Sequence, residues 1–198
     1  MKRLCLTLVL LVILTTSAFA NDKLALKASI GYSRWIPGRE YVDDTNRGAV
    51  CLLGKFLFYN LSPTTSTGIE SGLFFWGRAK GESEDGESWE ETKTSIPFFL
   101  IVHFKIAGDE EGLSYYLDLG IGAEDVRRTH IKGRNGSVEW WSGGVFMGFL
   151  VTPGIELYLS PALKLDVFVE FQFLSEIDLA GGRGDSVTLI IPSAGIRF

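Results

Sequence analysis

Histidine, cysteine and methionine are scarce in this chain, with two of each among 198 residues. Cys5 falls inside the N-terminal apolar run, so Cys51 stands alone and no internal disulfide framework can form. His103 and His130 lie in no catalytic motif, and no cofactor or metal is expected. An excess of positive charge is also missing. With Lys2 and Arg3 set aside, 17 basic residues face 24 acidic ones, a net of −7, and no nucleic-acid partner is expected. Beyond the first 20 residues no segment reaches the ~18 uninterrupted apolar residues of a helical membrane span. Stripes at helical period are few, whereas Phe, Tyr, Trp and Gly are plentiful. The balance points to an all-β protein.

What is present begins with MKRLCLTLVLLVILTTSAFA: Lys2 and Arg3, an apolar run from Leu4 to Leu14, and Ala18-Phe19-Ala20 before Asn21-Asp22. This is the layout of a secretory signal peptide with an A-x-A cleavage site. Residues 1–20 are therefore expected to be removed, leaving 21–198 as a single domain. The apolar run is too short for an N-terminal transmembrane anchor. Cys5 precedes the cleavage site and does not read as a lipidated terminus.

The mature part is dominated by period-two alternation. In LKLDVFVEFQF, Leu163 to Phe173, the odd positions are all apolar and the even ones are Lys164, Asp166, Phe168, Glu170 and Gln172. Such alternation marks a strand whose two faces meet different surroundings. Eight strands are predicted, near 24–36, 49–60, 67–80, 92–106, 113–128, 138–159, 163–174 and 187–198. Connections alternate between short turns (LSPTTS, AGDEEG, Ser160-Pro161-Ala162) and longer polar stretches (PGREYVDDTNRG, GESEDGESWEE, HIKGRNGS, SEIDLAGGRGDS). Short turns at one rim and long loops at the other characterise outer-membrane barrels. Pro97, Pro153 and Pro192 fall within predicted strands, and Pro153-Gly154 is expected to be a bulge, the alternative being a turn that would raise the strand number. Asn135-Gly136 predicts a hairpin joining the fifth and sixth strands beyond the membrane.

One face so defined carries Leu26, Ile30, Val50, Leu52, Phe98, Leu100 and their neighbours in parity. The other carries Lys27, Lys55, Glu70, His103, Lys105, Asp118, Glu156, Lys164, Asp166 and Glu170, with glycines between them. Alternation alone fits two folds. A soluble lipocalin-like barrel would turn the apolar face inward, and a membrane barrel would turn it toward lipid.

The chain ends SAGIRF, with Ala194, Ile196 and Phe198 on one parity and Arg197 on the other. This resembles the terminal signature of bacterial outer-membrane β-barrels, whose last strand is read by the barrel-assembly machinery. TSIPFFLIVHFKI resembles the strand in which small outer-membrane barrel domains carry an Ile-Pro-aliphatic run, and SYYLDLGIGAED resembles the glycine-rich strand after it. Through most of its mature length the sequence is similar to the OmpA-transmembrane/OmpX-type superfamily. The resemblance implies an eight-stranded antiparallel up-and-down transmembrane β-barrel in the bacterial outer membrane. Outer-membrane lipids, lipopolysaccharide and the assembly machinery are its expected partners. With Phe198 as the last residue of the barrel signature, no peptidoglycan-binding domain is expected after the barrel.

On that reading the ten polar residues of the second face form a plugged lumen, because eight strands enclose just enough space for side chains. His103 belongs to this polar core and His130 to a solvated loop. Tyr32, Trp35, Tyr59, Trp76, Tyr115, Tyr116, Trp140, Trp141 and Tyr158 fall near strand ends and are expected in interfacial girdles. Phe74, Trp76, Phe99, Ile101, Leu189 and Ile191, on the inward parity, hint at an apolar zone in the lumen. Cys51 packs inside.

Two surface motifs complete the set. Gly81 to Glu91 holds six carboxylates, without the fixed spacing of a calcium loop, and reads as a solvated loop rather than a cation site. Arg183-Gly184-Asp185 resembles the tripeptide recognised by integrins, and it is also a plain glycine-rich turn. The leading functional reading is a non-enzymatic structural or surface-interaction barrel whose host or surface ligand is not encoded legibly. The alternatives are a module binding or transporting a small apolar solute, or the soluble lipocalin-like barrel.

Overall fold

The computed structural model describes residues 25–37, 48–82, 88–109, 111–132, 137–160, 162–177 and 186–198. They form eight strands: β1 (Ala25–Pro37), β2 (Gly48–Ser62), β3 (Thr65–Glu82), β4 (Ser88–Gly108), β5 (Leu113–Lys132), β6 (Ser137–Ser160), β7 (Leu163–Glu176) and β8 (Ser186–Arg197). Each pairs antiparallel with the next, and β8 pairs with β1, so the sheet closes in sequential order. This is the predicted up-and-down barrel. No helix occurs among the described residues.

Alternation in the sequence becomes an inside and an outside. In β7, Asp166, Phe168, Glu170, Gln172 and Leu174 are buried, while Leu165, Val167 and Phe173 are exposed. The other strands behave likewise, with Ile30, Leu52, Phe75, Leu100, Ile121 and Phe149 on the outer surface. Large apolar side chains therefore form a belt around the wall, and the buried volume inside is rich in charge.

The three prolines inside strands share one device, Pro37 being the last residue of β1. Pro97 pairs in register with Glu124, Pro153 with Leu117 and Pro192 with Val169. On its opposite side each coincides with a gap in the ladder: between Ser71 and Phe74 of β3, between Val151 and Gly154 of β6, and between Gly31 and Arg34 of β1. A proline has no N–H to give the second neighbour, so the bond is missing while the register continues. The bulge expected at Pro153-Gly154 is absent, because β6 resumes against β7 in the same register after the gap. A register shift does occur between Phe75 and Arg78, where Gly77 has φ 83°, a conformation available to glycine at little cost.

Strand lengths divide the wall into a low and a high side. β1, β2, β7 and β8 have 12 to 15 residues, whereas β3 to β6 have 18 to 24. The extra length lies away from the short turns, where Glu82 pairs with Ser88 and Lys132 with Ser137. Much of what the sequence suggested were loops is therefore strand. Gly81, Glu82 and Ser88–Glu91 belong to β3 and β4, and His130 lies in β5 opposite Glu91 rather than in a loop.

Candidate functional site

The lumen is built in layers, each set by which inward positions the register brings level. At its centre Lys55 of β2 faces Glu70, its paired neighbour on β3. The Lys55 Nζ lies 2.8 Å from Glu70 Oε2, 2.9 Å from Asp118 Oδ2 and 3.4 Å from Glu170 Oε2. Glu170 is held further by Thr152 Oγ1, which donates at 3.2 Å, and by Gln172 Nε2, which donates at 2.7 Å. Asp118 meets its paired neighbour His103 through Oδ1 and Nδ1 at 2.6 Å. Phe168, an apolar residue between Asp166 and Glu170 on the inward side of β7, lies with its ring 4.7 Å from the Lys55 ammonium, a cation–π contact. Lys55, Glu70, Asp118 and Glu170 are each at most 1% exposed. Charges so far from water persist only when paired and hydrogen-bonded.

Toward the short turns a second cluster gathers on Glu156. Lys27 Nζ is 2.8 Å from Glu156 Oε1, and Arg197 Nη1 reaches both carboxylate oxygens at 2.8 Å. Lys27 is also 3.6 Å from Asp166, and Lys164 is 3.8 Å from Glu156. Tyr116 joins the group by donating its hydroxyl to Asp166 at 2.7 Å, with the Lys27 ammonium 3.7 Å above its ring. Tyr116 needs room to cross the lumen, and its paired neighbour Gly154 supplies it. A Cβ at 154 would come within 2.3 Å of the ring.

Above the central cluster, away from the short turns, Phe74, Phe99, Ile101, Leu150, Leu189 and Ile191 fill an apolar layer, each at most 2% exposed. Beyond it stands a third polar group. Trp76 Nε1 donates to Ser95 Oγ at 2.9 Å, Ser95 donates to Glu124, and the Lys93 ammonium lies 4.9 Å from the Trp76 ring.

Of the ten polar lumen residues named from the sequence, Lys27, Lys55, Glu70, His103, Asp118, Glu156, Asp166 and Glu170 are buried in the first two clusters. Lys105 and Lys164 are half-buried at the short-turn mouth. Sequence reasoning missed Lys93, Ser95, Glu124 and the anchoring role of Arg197, although all lie on inward parity. It also misplaced Tyr116, which is inside rather than in a girdle and donates to a buried acceptor. Trp76, read both as a girdle residue and as one of the inward-facing group, is inside. Tyr32 and Tyr115 lie on the outer surface. Ala194, Ile196 and Phe198 line the outer face at the end of β8, where Phe198 exchanges backbone hydrogen bonds with Leu26. Arg183, Gly184 and Asp185 lie outside the described residues, as does the 83–87 part of the acidic run. Cys51 is buried and free.

The His103–Asp118 pair has the form of the orienting half of a hydrolytic triad. Ser66, opposite His103 on β3, instead turns its hydroxyl to Asn60 at 2.7 Å. Among the described residues no group of three or more His, Cys, Asp or Glu side chains is arranged to hold a metal ion.

No protein-family model matches the sequence, and no curated protein matches it. Solved structures do. Neisserial surface protein A aligns over 89% of this chain and 96% of its own, at 11% identity and a TM-score of 0.50. The attachment invasion locus protein Ail of Yersinia pestis, solved with the heparin analogue sucrose octasulfate, aligns over 89% of this chain and 99% of its own, at 18% identity and a TM-score of 0.50. The chain has the fold of the small eight-stranded outer-membrane β-barrels.

Proposed function

We propose that this protein is a non-enzymatic, integral barrel of the bacterial outer membrane, inserted after removal of its signal peptide, with a plugged lumen and a surface-interaction role. One observation carries the reading: the wall is inside out. Lys55, Glu70, Asp118 and Glu170 are sealed within it while Ile30, Leu100 and Ile121 are more than half exposed outside. In water such a belt would be an aggregation liability, whereas in a bilayer it is the lipid-facing surface. With the amino terminus and the short turns in the periplasm, the extensions of β3 to β6 stand on the cell-surface side.

Those extensions are where interaction would occur. A tilted strand needs ~10 residues to cross the hydrocarbon, and β4, β5 and β6 have 21, 20 and 24. The excess forms a ridge on one side of the mouth, a platform for contact with lipopolysaccharide or a surface ligand. The likeness to Ail, an attachment protein solved with a heparin analogue, supports this direction. A plugged lumen agrees with the buried side chains inside the wall, three polar groups and one apolar layer.

Cell fractionation tests the core of the proposal. The protein is expected in the outer membrane, with heat-modifiable migration in detergent gels, and recovery from soluble periplasm would refute it. Protease shaving of intact cells should cut between β3 and β4 or between β5 and β6 and leave the short turns untouched.

A further inference from the structure

The three gaps that prolines leave in the ladder are not alike. Beside Pro97 the gap spans Gly72 and Leu73 of β3 and Ile96 and Pro97 of β4. There Ser71 donates its hydroxyl to the Pro97 carbonyl at 2.8 Å, from one strand to the other. Beside Pro153 the gap spans Thr152 and Pro153 of β6 and Val169 and Glu170 of β7. There Thr152 Oγ1 donates to Glu170 Oε2 at 3.2 Å, again across the junction. Both gaps thus carry a side-chain staple in place of the backbone bond that proline withholds.

The third gap spans Tyr32 and Ser33 of β1 and Ile191 and Pro192 of β8, where the cylinder closes. Two hydroxyls stand at it, Ser33 and Ser193, 0% and 7% exposed. Among the described residues no hydrogen bond joins either of them to the facing strand. Ser193 lies beside the Cys51 thiol, a weak partner that belongs to β2 and does not span the closure. Tyr32 leans the same way, its hydroxyl lying over Gly48 of β2. Hydrocarbon offers no water to make up such losses. The wall is also thin at this point. Gly31 pairs with Cys51 on one side and with Ser193 on the other. A Cβ at 31 would lie 2.0 Å from Ser193 Oγ and 3.0 Å from Cys51 Sγ, so the glycine puts no side chain of its own between the seam and the thiol. Both ends of the seam are pinned. Leu26 and Phe198 exchange backbone bonds at the short-turn end, and the ladder resumes from Arg34 to Pro37 at the other.

We propose that the β1–β8 closure is a built-in lateral opening point. The wall parts locally between Gly31 and Arg34, with both ends of the seam still pinned, and uncovers Cys51 toward the bilayer. The other two gaps stay shut, held by Ser71 and Thr152. The opening is reversible and leaves the remaining seven junctions paired, whatever the cell-surface ridge contacts.

Cys51 is the single thiol of residues 21–198, so the parent chain reports on itself. The full mature chain, refolded into phosphatidylcholine vesicles without denaturant, is treated with N-ethylmaleimide, and the adduct is followed by mass spectrometry. Cys51 should be modified faster than the barrel unfolds globally, as read by heat-modifiable migration of the same samples. Pro192→Val, which returns the missing N–H to β8, should slow modification roughly 2- to 10-fold, the factor that one net hydrogen bond supplies. Pro153→Val, at a gap already stapled, should be modified like the parent. Amide hydrogen exchange of the parent gives a measure that needs no variant to fold. Peptides covering 31–34 and 190–193 should exchange faster than those covering 71–74 and 151–154, because local opening releases their protection. Modification no faster than global unfolding would overturn the proposal, as would equal rates in the parent and a folded Pro192→Val. Exchange that is equal at the three gaps, or ranked the other way, would overturn it too.

Discussion

Around Lys55 the lumen holds one ammonium, three carboxylates and a histidine. On the side away from the short turns, Phe74, Phe99, Ile101, Leu150, Leu189 and Ile191 form an apolar group. Both layers are almost wholly shielded from solvent. The charged layer is cohesive because every member needs the others, so deleting one leaves its partners as unpaired buried ions. The apolar layer is cohesive by volume, so deleting one member leaves a hole whose size sets the loss. Burial is therefore the same in the two layers, and the mode of failure differs.

The largest effect should come from Lys55→Met, which strands Glu70, Asp118 and Glu170 together. Urea unfolding of the barrel refolded in lipid vesicles should show a loss of up to about 5 kcal/mol. Adding Glu70→Gln should then recover at least ~1 kcal/mol, because sites in one network couple. Phe74→Ala, in the apolar layer and paired with Cys51 and Ser95 rather than with the charged cluster, should cost about 3–4 kcal/mol in the same assay. Its effect should be nearly unaltered by Glu70→Gln. If Phe74 and Glu70 couple as strongly as Lys55 and Glu70, the two layers are not energetically distinct.

The next effect crosses the wall. Val167→Arg places a charge in the outer belt and should reduce insertion into vesicles by about 2–4 kcal/mol if the site lies near the bilayer midplane. Gln172→Lys, on the lumen side of the same strand and beside Glu170, should insert like the parent. Equal insertion of the two would contradict the inside-out wall. The smallest effect is Tyr116→Phe, which keeps the ring under Lys27 and removes only the hydrogen bond to Asp166. A loss of about 1–2 kcal/mol is expected, within the range for a buried acceptor left unpaired.

Strand number, pairing order and the facing of nearly every side chain were legible, because a two-residue period is local and survives folding intact. What the period does not reveal is the stagger between distant strands. Lys55 and Glu70 are hairpin neighbours, yet the turn at Pro63-Thr64 alone would set Lys55 opposite Gly72, and only the two register shifts between Leu57 and Ser62 bring it to Glu70. Lys55 and Glu170 belong to β2 and β7, and they meet only because the closed sheet brings those levels together. The apolar layer was visible as a list of residues without its position. Tyr116 was misjudged for another reason: an aromatic near a strand end suits an interface, and only a buried acceptor at hand shows that it turns inward. Lys93, Ser95 and Glu124 were within reach of parity alone, had the alternation through His103 and Asp118 been carried to the far ends of β4 and β5.

The order of the sheet also has a kinetic meaning. Seven of its eight strand junctions link consecutive strands and can zip from their turns. The eighth joins β1 to β8, pairing Lys27 with Arg197 across almost the whole chain, and its ladder is interrupted beside Pro192. Contacts so distant in sequence form slowly, since the loop must close before they contribute. Lys27 arrives with β1 and Arg197 with β8, yet both grip the Glu156 carboxylate on β6. Sealing the cylinder and completing that ionic grip are thus one late event, and a partly assembled sheet keeps its inner charges within reach of water until it happens.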